Sequence, residues 1–147
     1  MNKLFLLTLC VFCGPALAGT IGYDALKSHA FGTIRSVDIC DGPYIGEGLG
    51  EHRIIRAHIY GSDMIFIDNV LMKGTGLEAV KGFSFAELND DHAEYSIKRV
   101  KCESKGKFLE IKGLVNGSGH DEGKDKTKFE FRIFLNPEDG TYEFKKL

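Results

Sequence analysis

Lys128-Phe129-Glu130-Phe131-Arg132-Ile133-Phe134-Leu135, then Asn136-Pro137-Glu138-Asp139-Gly140, then Thr141-Tyr142-Glu143-Phe144-Lys145, is the stretch that decides the fold class. Phe129, Phe131, Ile133 and Leu135 fall on one side of an alternating pattern, and Lys128, Glu130 and Arg132 on the other. A period of two is the signature of a half-buried strand, because successive side chains of extended backbone point to opposite faces. Phe134 breaks the polar side and calls for a loop or a partner to cover it. Pro137 suits the first central position of a type I turn, and Gly140 can take the positive φ that closes a bulged hairpin. Tyr142 and Phe144 then share a face on the return strand.

The same grammar runs upstream. Glu94 to Cys102 and Lys107 to Val115 flank Ser104-Lys105-Gly106 as a second hairpin. His52 to Tyr60 and Met64 to Met72 flank Gly61-Ser62, which reads as a type II′ turn. Met64-Ile65-Phe66-Ile67 is apolar on both faces, as a central strand requires. Phe31 to Cys40 reads as the first long strand, and Gly82 to Leu88 as another, turning through Asn89-Asp90-Asp91. Tyr23 to Ala30 and Leu77 to Lys81 are the two places for a short helical turn. The fold class is therefore all-β, with about eight antiparallel strands joined by short connections. Such strands hide their edges by closing into an up-and-down barrel or by folding into two packed sheets. The barrel-like meander is the expectation carried forward, with a two-sheet β-sandwich as the alternative.

The first residues carry a different message. Met1-Asn2-Lys3 is a short positive segment, Leu4 to Phe12 is apolar, and Ala16-Leu17-Ala18 is a small-x-small cleavage site. Residues 1–18 read as a secretory signal cut between Ala18 and Gly19, leaving 19–147 as a single β-domain of 129 residues. No later stretch is apolar enough to span a bilayer. Cys10 and Cys13 leave with the signal. Cys40 and Cys102 remain, an even pair in an exported chain, and read as a disulfide. It would close a loop of roughly 60 residues, for which the chain-entropy model gives about 4 kcal/mol. The compact apolar region and Ala-x-Ala site suit a bacterial signal, so the expected location is periplasmic or secreted. Asn116-Gly117-Ser118 matches the N-glycosylation pattern, which matters only in a eukaryotic host.

Charge excludes one class. The whole chain has 19 Lys and Arg against 21 Asp and Glu, so losing Lys3 leaves a formal charge of −3. That balance argues against a nucleic-acid binder and gives no support for docking on anionic lipid.

No catalytic set emerges. Gly46-Glu47-Gly48-Leu49-Gly50 precedes a strand, whereas a phosphate loop needs a helix N-terminus after it. Gly117-Ser118-Gly119-His120-Asp121 places Ser, His and Asp side by side, where a hydrolytic triad cannot assemble. His120, Asp121, Glu122 and Asp125 resemble oxygen ligands for Ca²⁺, but their spacing is not that of an EF-hand and Lys124 and Lys126 compete for the carboxylates. The Asn116–Lys126 stretch reads as a solvated hairpin tip, with His120, Asp121 and Glu122 available as contacts. Asp90-Asp91-His92 is a similar acidic cluster. His29, His52 and His58 lack zinc spacing. No cofactor or metal is expected. The sequence thus suggests a small non-catalytic binding protein whose partner is another protein, of inhibitor, immunity or envelope-assembly type. The alternatives are a barrel carrier of a small apolar ligand, and a hydrolase whose site is dispersed along the chain.

Overall fold

The C-terminal hairpin forms as its alternation dictates. In the computed structural model, which describes residues 21–28, 33–40, 50–117 and 128–147, the first strand of that hairpin is Lys128–Leu135 and the second is Tyr142–Lys146. Asn136 organises the turn: its main chain accepts from Gly140 N and its Oδ1 from Glu138 N, while Gly140 sits at φ +83°. The segment expected to be a signal, with its Ala18–Gly19 junction, lies outside the described residues, as does His29.

Eight strands follow one another: β1 Ile34–Ile39, β2 Gly50–Ile59, β3 Ser62–Lys73, β4 Gly76–Ser84, β5 Tyr95–Lys105, β6 Phe108–Gly117, and the hairpin strands β7 and β8. A short helix, α1, spans Ala25–Ser28. The strands form two four-stranded sheets, ordered β1-β2-β3-β4 and β5-β6-β7-β8, with every neighbouring pair antiparallel. The meander connectivity is as expected, but the barrel is not closed. The chain breaks its ladder at Phe85–Glu94 and begins a second sheet, so the two-sheet alternative holds.

Four local expectations need correction. Leu77 to Lys81 is extended, not helical: Gly74 at φ +60° turns the chain and β4 pairs with β3, and that ladder overrides the segment's own preference. The β2–β3 turn is Tyr60-Gly61 with φ of 51° and 83°, both positive, so it is of type I′ rather than II′. The β5–β6 turn is Gly106-Lys107, which leaves Ser104 and Lys105 within β5. Likewise Asn116 and Gly117 end β6 rather than opening a loop.

The centre of sheet one, β2 and most of β3, is buried on both faces. Its inner face sets Ile54, Ile65, Ile67 and Phe83 against Ile97, Ile111, Phe131 and Ile133 of sheet two. Its outer face carries Ile55, Ala57, Ile59, Met64 and Phe66, and the N-terminal segment seals these with Ile21, Tyr23 and Leu26. Phe131 packs so closely over Gly113 that a Cβ there would come within 2.6 Å of the ring. The Cys40–Cys102 disulfide joins the end of β1 to β5 across the two sheets, with Cα atoms 4.7 Å apart.

Two outcomes are expected. Phe131→Ala should lower the unfolding free energy by about 3–5 kcal/mol in urea titrations, as for other buried Phe deletions. Replacing Cys40 and Cys102 together by Ala should cost about 4 kcal/mol by the same measurement. A midpoint unmoved in either variant would contradict the packing described.

Candidate functional site

Two of the described histidines, His52 and His58, are tied into the β2–β3 ladder. His52 is buried on β2 with Nδ1 2.7 Å from Asn69 Oδ1 of β3. His58 shares the inner face with Arg56, and its Nδ1 lies 3.0 Å from Asp63 Oδ1. The other oxygen of Asp63 accepts Ile97 N at 2.9 Å, and the buried Ser62 Oγ accepts Tyr95 N at the same distance. These polar side chains hold β5 onto the end of the β2–β3 hairpin, and Ser62 is committed to that task. Asp90, Asp91 and His92 do converge, with possible ligand atoms within 4.8 Å of one another. Their contacts are mutual: His92 Nδ1 lies 2.7 Å from Asp91 Oδ1 and His92 N donates to Asp90 Oδ1. His120, Asp121 and Glu122 lie outside the described residues.

A buried polar cluster that the sequence did not reveal secures the N-terminal segment. Asp68 of β3 is fully buried and accepts three hydrogen bonds, from Arg53 Nε at 2.9 Å, Arg53 Nη2 at 2.7 Å and Tyr23 OH at 2.8 Å. The Tyr23 ring lies across Gly82, where a Cβ would fall 2.1 Å from it, and meets Phe66 edge-on. Burial pushes the Tyr23 phenol far above its usual value, helped by its bond to Asp68.

The surface has three grooves of note. One of about 400 Å³ runs between Gly22–Asp24 and β4, one of about 320 Å³ lies over Phe108 and Phe134, and one of about 190 Å³ lies beside Arg99 and Arg132. None of the three lies between the sheets, where Ile65, Phe85, Ile97, Ile111 and Phe131 fill the interior. Beyond the last β2–β3 pair, Gly50 with Leu71, β3 and β4 continue as a two-stranded arm from Met72 to Leu77. Every residue from Met72 to Lys81 is exposed, and Met72, Leu77 and Val80 are 51%, 52% and 44% accessible. Met72 pairs directly with Leu77, and Lys73 meets Glu78 at 2.9 Å.

The sheet edges themselves are poor templates for strand addition. β1 and β4 are each interrupted by a register shift in their pairing, as is β5, where Arg99 takes φ +55°. β8 has only five residues. Bulges and short edge strands are how sheets avoid pairing with other chains.

The outer face of sheet two is charged and arranged in rows. Glu110 is buried there, 2.9 Å from Lys112 Nζ and 3.3 Å from Arg132 Nε. Its hydrogen bond to Lys112 keeps its carboxyl below the usual range.

No protein-family model, curated protein or solved structure matches this chain.

Tyr23→Phe should cost about 1.5–3 kcal/mol, the range for a hydrogen bond to a charged group. Because folding raises this phenol above 10.0, its contribution is complete below pH 10 and is lost as pH climbs beyond. The variant should therefore lose stability less steeply than the parent above pH 10, which denaturant midpoints across that range will show. Parallel curves would mean that the phenol titrates as it does in the unfolded chain.

Proposed function

We propose that this chain is an exported, non-catalytic protein that works by binding another protein, and that the β3–β4 arm is the contact. The observation that carries the reading is the exposed apolar patch of the β3–β4 hairpin: Met72 and Leu77 pair beyond the Gly50 end of β2, and Val80 stands exposed on β4 below them. Apolar side chains there contribute little to the core, and exposed apolar clusters of this kind mark interaction sites. Since each sheet edge is bulged or short, the contact is made by side chains rather than by strand addition. The filled interior leaves little room for the apolar cargo of a carrier. The disulfide fits an oxidising compartment such as the periplasm, where the signal would deliver the chain. An inhibitor, immunity or envelope-assembly role each needs a macromolecular partner at such a projecting surface.

A photo-crosslinking residue placed at Leu77, with one at Glu143 of β8 as control, tests this in the native envelope. The expected result is a discrete protein adduct from position 77 alone, abolished by Met72→Asp with Val80→Asp. Those exposed changes should leave stability within about 0.5 kcal/mol. Absence of an adduct from 77, or the same adducts from 143, would remove the arm as the binding site. Export is checked separately: the protein in the envelope fraction should begin at Gly19, and a full-length chain confined to the cytosol would overturn that part.

A further inference from the structure

We infer that the outer face of the second sheet binds a linear polyanion, and that the ligand class is a sulfated or phosphorylated glycan chain. The register places Lys101 opposite Lys112, Lys112 opposite Arg132, and Arg132 opposite Lys145. Four cations thus form one row across all four strands, about 14 Å long at the usual strand spacing. Like charges directly opposite destabilise a sheet. The same residues reversed on alternate strands would give attraction at every step, because an acid sits two positions from each cation: Glu103, Glu110, Glu130 and Glu143. Instead the acids Glu103 and Glu110 face each other in the next row.

Those acids do not fully neutralise the cations. Glu110 serves both Lys112 and Arg132, Glu143 meets Lys145 at 3.1 Å, and Glu103 pairs with Lys105 at 3.4 Å rather than with the exposed Lys101. Arg132 Nε is a buried donor without a hydrogen-bond acceptor, its approach to Glu110 being poorly aligned. The groove of about 190 Å³ beside it is lined by Arg99, Lys112 and Arg132 together with Glu130. A chain of anions laid along the row meets the exposed Lys101 and relieves the repulsion of Lys101 with Lys112 and of Arg132 with Lys145, whereas Lys112 and Arg132 already share Glu110. Single-stranded nucleic acid fits less well, because it needs aromatic faces for its bases. Phe134 in the adjoining row and Phe108 in the row beyond it are covered by Lys145 Nζ at 5.9 Å and Lys107 Nζ at 5.1 Å.

The test is retention of the oxidised mature protein on immobilised heparin, with single-stranded DNA and inorganic polyphosphate as competitors. A chain of net charge −3 should not be retained without a local cationic row. The parent should bind at low salt, and Lys101→Gln with Lys145→Gln should weaken binding about tenfold. Arg35→Gln with Lys73→Gln removes as much charge from exposed positions of the first sheet and should leave affinity within about twofold. No retention of the parent, or equal weakening by the two double variants, would overturn the site. Stronger competition by DNA or polyphosphate than by free heparin would overturn the assignment to a glycan.

Discussion

The four residues Met64-Ile65-Phe66-Ile67 impose the constraint on which the rest depends. They lie on β3 and are apolar on both faces, and all four are fully buried. A strand of that kind needs cover on two sides, since each exposed side chain would forfeit about 1.5–3 kcal/mol. Sheet two supplies one cover. The other comes from a few N-terminal residues, which are too short to bury much by themselves. They are fixed by Tyr23, whose ring needs the bare backbone of Gly82 and whose hydroxyl needs Asp68. The buried carboxylate is tolerable because the Arg53 guanidinium neutralises it in two-point contact. Removing either partner would leave a charge in an apolar layer.

Much of this architecture was legible in the residues. The hairpin at 128–146 shows the alternation without interruption, and β7 has the boundaries its pattern gives. The Cys40–Cys102 pair was readable from the two cysteines that lie beyond residues 1–18. Leu77 to Lys81 was misread because Leu-Glu-Ala-Val-Lys has the composition of a helix, and only its pairing with β3 makes it extended. The turn at Tyr60-Gly61 was misread because a tyrosine at positive φ is uncommon. Barrel and sandwich could not be separated from periodicity, since both present one apolar face per strand.

Functional surfaces were less legible, for a physical reason. The Tyr23–Asp68–Arg53 cluster joins residues 45 positions apart in sequence, with no motif at any fixed spacing. The cationic row on sheet two depends on register, which links Lys101 to Lys145 through two intervening strands. Each strand alone shows only an ordinary mixture of Glu and Lys. Whether those charges alternate or align is decided by the turns, and a slip of two residues in one hairpin would erase the row.

The strict order of strands also governs how the molecule comes together. Every strand pairs with its neighbour in sequence, so within each sheet the contacts are local and the loops to be closed are short. Such low contact order favours rapid formation, hairpin by hairpin, with no strand left waiting for a distant mate. The long-range steps are the docking of the finished sheets and the seating of the N-terminal segment. The bond between Cys40 and Cys102 spans a separation of 62 residues and belongs to that docking step, so it secures an encounter that chain connectivity alone would make slowly.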